Sequence, residues 1–241
     1  MSVIMKQAVQ KSLHKLGLRV QRISNDDIHR LVRTLEANRI EIVLDVGANI
    51  GQFARSLREA GFRGEIVCFE PLPTAHAALQ EAFRNDAGTT VHPRVALGSE
   101  RSTIDINVAA NSVSSSVLDM LDAHRQAAPD SEYVATESAE LLRLDDVFHT
   151  YVGEGKRSFL KIDTQGYEWN VLDGAAESLP RIDGLLLEMS LVPLYEGQRL
   201  WRQLIDRLES AGFSLWQIFP GFTDPSTGRC LQFDAVLYRH A

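Results

Sequence analysis

One stretch constrains the chain more than any other: Ile42-Val43-Leu44-Asp45-Val46-Gly47-Ala48-Asn49-Ile50-Gly51-Gln52-Phe53. A short β-branched apolar run meets an acid, then a Gly-x-Asn-x-Gly turn, then apolar residues at helical spacing (Phe53, Leu57, Ala60). That order predicts strand, tight turn and helix, the opening of a nucleotide-binding βαβ unit. Gly47 and Gly51 let the backbone bend sharply and approach a ligand, and Asn49 is the next residue best suited to a left-handed backbone.

The following apolar run, Glu65 to Phe69, ends at Glu70 with Pro71 behind it. Glu70 lies about 20 residues past the turn, where such folds place an acid on ribose hydroxyls. A pyrophosphate fits poorly, because Asn49 replaces the middle glycine of the dinucleotide fingerprint and Asp45 would repel it. A nucleoside with a positive centre fits better, which points to S-adenosylmethionine.

With 241 residues, 44% hydrophobic and 24% charged, the chain is sized for one α/β domain. A net charge of −7 counts against nucleic acid as a partner. No apolar run is long enough to span a membrane, and the N-terminus lacks the pattern of a signal peptide. Cys68 and Cys230 have no metal-ligand spacing and read as reduced core thiols of a cytoplasmic protein.

Residues 1–25 hold no acid but carry Lys6, Lys11, Lys15, Arg19 and Arg22, with apolar residues at three- and four-residue steps. Such a basic amphipathic segment suits a peripheral membrane contact, a helix docked on the domain, or a homodimer surface. Residues 1–39 read as a helical extension, with Asp26-Asp27 opening a helix through Asn38. Residues 40–241 read as the main domain, with an insertion over about 105–150. Further expectations are a helix over Thr74–Arg84, a third strand over Val91–Leu97 and a half-exposed strand over Thr103–Val108. The stretch 119–140 reads as a lid or an insertion, and Leu142–Phe148 as a strand and turn. The strand Ser158–Ile162 delivers Asp163, a helix runs Glu168–Ser178, and Gly184–Met189 carries Glu188. After a helix over Leu200–Ala211, two strands flank Asp224-Pro225-Ser226-Thr227-Gly228 as an antiparallel pair. Asp45, Glu70, Asp163 and Glu188 thus come from four strands to one sheet edge, where open α/β sheets bind ligands.

These residues resemble the FkbM-type S-adenosylmethionine-dependent methyltransferases. The resemblance rests on Asp45 to Gln52, Phe69-Glu70-Pro71, Ala96-Leu97-Gly98, the Ser114-Ser115-Ser116 run, Lys161 to Glu168, and Glu188, in family order over about residues 40–240. Many members have an acid where this chain has Gln165. The resemblance implies a class I, Rossmann-like α/β fold whose sheet is mostly parallel, with a C-terminal antiparallel hairpin and helices on both faces. It implies methyl transfer, usually to a hydroxyl oxygen of a sugar in a glycolipid or glycan, or of a related natural product.

On this reading Asp45, Gly47, Asn49, Gly51, Gln52, Glu70, Pro71, Ala96 and Asp163 hold the donor. Asp163 is the first choice for general base and Glu188 the alternative. Ser115, Gln165, Glu168 and His124 face the acceptor, with Tyr167, Trp169, Tyr195, Trp216, Phe219 and Phe222 available to stack on a sugar ring. No cluster has secure metal-ligand spacing. Two other classes share parts of the pattern: a nicotinamide-dependent oxidoreductase, and a non-catalytic nucleoside-binding module.

Overall fold

A computed structural model describes residues 26–239. The basic segment 1–25 lies outside the described residues, and with it the membrane and docking expectations placed there. Two parallel strands, β1 (Ile42–Val46) and β7 (Ser158–Ile162), run down the middle of the sheet. Every residue of both is buried because helices cover both faces, which explains why the two strands are mostly apolar, with Asp45 and Lys161 paired to each other.

The elements follow in the order α1 (Asp27–Ala37), β1, α2 (Gln52–Glu59), β2 (Glu65–Phe69), α3 (Pro73–Phe83), β3 (Thr89–Val91), β4 (Ala96–Leu97), β5 (Ser102–Ala109) and α4 (Asp122–Ala127). Then come β6 (Tyr133–Leu142), α5 (Leu144–Tyr151), β7, α6 (Glu168–Asp173), β8 (Gly184–Ser190), α7 (Trp201–Ser210), β9 (Phe213–Pro220) and β10 (Gln232–Arg239). The main sheet has the order β3-β2-β1-β7-β8-β10-β9. Its first five strands are parallel, and β10 pairs antiparallel with both β8 and β9. The fold is therefore the mostly parallel α/β sheet with an antiparallel C-terminal hairpin that the sequence implied.

Alternate residues of each strand feed two cores. Val43, Ile66 and Phe159 meet α1, α2 and α3 through Leu35, Leu57 and Leu79. Leu44, Phe69 and Ile162 meet α5, α6 and α7 through Phe148, Leu172 and Leu208. Helix α1 is thus built onto the sheet, although Asp26 makes no side-chain cap and Asp27 pairs instead with Arg30 at 3.1 Å.

Four stretches depart from the sequence expectation, the first being the helix expected over Glu168–Ser178, which ends at Asp173 with Gly174 behind it. Val91–Leu97 is not one strand: Pro93 has no N–H to continue a ladder, so β3 stays on the main sheet and β4 pairs with β6. The stretch 119–140 is neither lid nor loose insertion but α4 and most of the ten-residue β6, which pairs along the length of β5. Its polar character reflects a strand with few buried residues. Leu142–Phe148 enters a helix, because Asp145 and Asp146 favour a helix start and Asp146 Oδ2 accepts the Arg143 N–H at 3.2 Å. Strands β4, β6 and β5 form a second sheet beside the carboxyl end of the first. Among the described residues no helix is long and apolar enough to cross a membrane.

Candidate active site

The turn between β1 and α2 has a left-handed backbone at three residues: Gly47 (φ 75°), Asn49 (φ 48°) and Gly51 (φ 87°). At Gly47 no other residue fits, since a Cβ there would lie 1.9 Å from the Asp163 carbonyl oxygen. The turn is pinned to the next strand, with the Gly47 and Ala48 N–H groups each donating to the Phe69 carbonyl at 3.1 Å. Beneath it, Asp45 and Lys161 stand directly opposite on β1 and β7 and form a buried ion pair at 2.9 Å. Lys161 Nζ also donates to the Gly47 carbonyl at 3.0 Å. Burial alone would depress this ammonium, but the Asp45 and Asp163 carboxylates outweigh it and raise it above the ordinary lysine range. Asp45 thereby orients the turn from behind, through Lys161.

Above the turn lies a cavity of about 300 Å³, at the lower end of the range for small-ligand sites. Its apolar lining includes Phe69, Leu72, Val95, Ala96, Leu97, Ile106 and Val117, and its polar lining Asn49, Gln52, Lys161, Asp163, Thr164 and Gln165. Glu70 is bonded to a residue of each kind. Its oxygens accept from the backbone N–H of Asn49 (Oε2, 2.8 Å) and of Leu72 (Oε1, 2.8 Å). Each oxygen keeps a further lone pair for a ligand hydroxyl. Burial pushes its carboxyl up to about 7, against the pull of those two N–H groups. The loop that follows β5 lines the cavity with Ser112, Val113, Ser115 and Ser116, so the serine-rich stretch is a wall of the site.

Of the residues singled out in the sequence, Gly47, Asn49, Gln52, Glu70, Pro71, Ala96, Ser115, Asp163 and Gln165 line this one cavity. Asp45, Gly51, Glu168, Glu188 and His124 do not. Asp45 is fully buried beneath the turn. Gly51 faces Phe83 and Leu79 at the start of α2. Glu168, expected to face the acceptor, is 2% exposed and braces its own loop, accepting from the N–H groups of Thr164 and Gly166 at 3.0 Å. Burial raises its carboxyl to about 7. His124, expected to reach the site from a lid, is buried between Tyr195 and Phe222 and bonded to Ser131 Oγ at 3.1 Å. Glu188 sits one amide behind the cavity, its Oε2 accepting from Gln165 and Gln232 at 2.9 and 2.7 Å.

Of the six aromatic residues, only Tyr167 lines the cavity. Trp216 stacks near Tyr238, Trp169 lies under Arg199 and Arg207, and Arg30 lies over Phe219. The stretch 111–116, which the sequence leaves open as a flexible surface loop or a hydroxyl-rich wall over the ligand, lines the cavity, whereas sequence reasoning missed Val117 just beyond it, and Gln232. Among the described residues no group of His, Cys, Asp and Glu side chains is arranged to hold a metal ion.

An adenosine-shaped ligand with a cationic tail fits this division: apolar wall, carboxylate with free lone pairs, then an acid-bearing polar end. Sheet order, glycine turn and Glu70 together define a Rossmann-like S-adenosylmethionine-dependent methyltransferase. The methyltransferase FkbM domain matches residues 45–215, and the chain belongs to that family. The 2-O-methyltransferase NoeI of Sinorhizobium fredii is 30% identical over 202 residues, which cover 80% of each chain. The methyltransferase sdnD of Sordaria araneosa is 26% identical over 194 residues, 72% of this chain and 73% of that one. Among solved structures, an rRNA methylase from Streptococcus thermophilus superposes with a TM-score of 0.47 at 12% identity, covering 92% of this chain and 100% of the other.

Proposed function

We propose that the chain methylates a hydroxyl oxygen of a sugar, in a glycolipid or glycan or in a related natural product. The observation that carries this reading is Asp163. It stands at the carboxyl end of β7 on the cavity wall, its side chain 38% exposed while Lys161 beside it is 5% exposed. A hydroxyl is a poor nucleophile until a base takes its proton, and an oriented carboxylate beside the donor is such a base. A relative named as a 2-O-methyltransferase supports oxygen as the accepting atom.

S-adenosylmethionine, when bound, supplies a methyl group on a positively charged sulfur. Everything else falls to the chain. Glu70 accepts the two ribose hydroxyls, and the Phe69, Leu72 and Ala96 wall covers the base. Gly47, Asn49 and Gln52 border the amino-acid end. Asp163 takes the acceptor proton, with the Ser112, Ser115 and Ser116 hydroxyls across the cavity available to orient the sugar. A contact of the basic segment 1–25 with an anionic membrane surface would suit a glycolipid acceptor.

The test is transfer from methyl-labelled S-adenosylmethionine to a panel of glycolipids, oligosaccharides, amines and phenols, read by mass spectrometry. Sugar O-methylation whose turnover at saturating donor drops about 10²- to 10⁴-fold in Asp163→Asn is the expected outcome. Transfer to amines alone would sink the reading.

A further inference from the structure

Three large apolar side chains stand close together in water on β9: Leu215 is 38% exposed, Trp216 53% and Ile218 51%. The other large apolar residues this exposed among the described residues, Ile50, Val113 and Val134, stand singly. Strand β9 is the last of the main sheet. Leu215 and Ile218 lie opposite Leu237 and Ala235, on the face that holds the Phe148, Leu172 and Leu208 core. Trp216 is the extra residue of a bulge and meets the Tyr238 ring on the other face, 4.8 Å between centroids. The apolar groups therefore wrap both sides of one edge. Neighbouring exposed apolar groups of this kind mark a contact surface.

The edge is poorly made for pairing with another strand. The bulge twists it, and Pro220 at its end has no N–H to give. Its surroundings suit a lipid surface. The Arg30 guanidinium of α1 lies over the Phe219 ring of β9 at 5.0 Å. The chain enters α1 one helical turn before Arg30, so segment 1–25 joins the fold beside this strand. That segment carries Lys6, Lys11, Lys15, Arg19 and Arg22 and no acid. Arg22 is four residues from Asp26, a span of at most about 14 Å. The whole chain carries −7, so an anionic surface attracts it through this basic segment rather than at large. Tryptophan favours the boundary between headgroups and acyl chains. The edge is also level with the site: Phe219 stands opposite Asp234, and Asp234 opposite Glu188, one amide behind the cavity.

We propose that β9 is a membrane-contact edge, on which Leu215, Trp216 and Ile218 enter the headgroup boundary of an anionic lipid surface beside the basic segment 1–25. The cavity is then held over sugars carried on lipids. The inference rests on the reading of the acceptor as a sugar hydroxyl, and it selects the lipid-linked form.

The test is flotation of the full chain with vesicles of phosphatidylcholine, with and without phosphatidylglycerol, some made with brominated acyl chains that quench tryptophan on contact. The wild type should float with the phosphatidylglycerol vesicles, and brominated lipid should quench its fluorescence. Trp216→Phe should float as well yet lose most of the quenching, because Trp169 and Trp201 are partly buried against the core. Trp216→Ser combined with Ile218→Ser should bind the same vesicles about 10-fold more weakly while remaining folded by circular dichroism. Unchanged vesicle binding by that double variant, or quenching undiminished in Trp216→Phe, overturns the proposal. Self-association of the wild type in sedimentation velocity, lost in the double variant and without vesicle binding, also overturns it and gives the edge to a second copy. Methyl transfer is then compared for one sugar held on a vesicle lipid and free in solution. A loss in the double variant with the vesicle-held sugar alone supports the proposal. If the wild type methylates neither form, the sugar reading fails, and vesicle binding still judges the edge.

Discussion

Lys161 and Asp45 carry the turn from below, and their burial makes the pair costly to break. Removing one partner of a buried pair leaves an uncompensated charge worth about 3–5 kcal/mol. Lys161→Met should therefore lower unfolding free energy by about that much in urea titrations, and Asp45→Asn on top of it should restore a large part. A loss below about 1 kcal/mol would mean that Asp45 is satisfied in another way. At Glu70 the prediction concerns pH. A ligand hydroxyl donates to the ionised carboxylate, and burial holds this carboxyl up to about 7. Donor affinity should therefore weaken as pH falls from 8 to 6, an effect absent in Glu70→Gln, which should bind more weakly throughout.

The turn between β1 and α2 works as a unit because its backbone is in contact on both sides. Gly47→Ala must move either the turn or the Asp163 carbonyl, which a Cβ would meet at 1.9 Å. It should cost about 2–4 kcal/mol and abolish donor binding, whereas Gly153→Ala, with nothing within 4 Å, should do neither. Paired denaturation and binding measurements on the two variants check this. At this scale the sequence was legible where one signal acts alone. The βαβ opening, Glu70 and the strand carrying Asp163 follow from local period and punctuation. The second sheet was not legible, because β4 is two residues long and the partners Ser102 and Leu141 are far apart in sequence. The start of α5 was masked by a leucine run that reads equally as strand until Asp145 and Asp146 are weighed as a helix start. Glu168 and His124 look like ligand groups in a sequence, and only burial separates a brace from a binding residue.

Across the whole molecule, burial leaves several carboxyls raised together. Glu70, Glu168 and Asp234 are each held at about 7 by burial, against ordinary values of 4.5, 4.5 and 3.8. The folded state then binds more protons than the unfolded chain over roughly pH 4–7, so stability is greatest on the acid side of that window and is lost as pH rises through 7. Burial raises the Asp45 and Glu188 carboxyls in the same sense, whereas His124, lowered by burial, acts in the opposite one. Asp224, held at about 2 chiefly by the Thr227 hydroxyl, matters only at more acid pH. The ligand-free protein should melt lower at pH 8 than at pH 5.5, by more than about 5 °C at about 2–4 °C per kcal/mol for a chain of this size. A higher melting temperature at pH 8 would show that these acids ionise without cost.

The most direct measurement is calorimetric binding of S-adenosylmethionine, S-adenosylhomocysteine and NAD to wild type and to Glu70→Ala. The wild type should bind both adenosyl ligands and not NAD, and Glu70→Ala should lose both while remaining folded. Preference for NAD, or unchanged binding without the Glu70 carboxylate, would contradict the assignment of this cavity to the methyl donor.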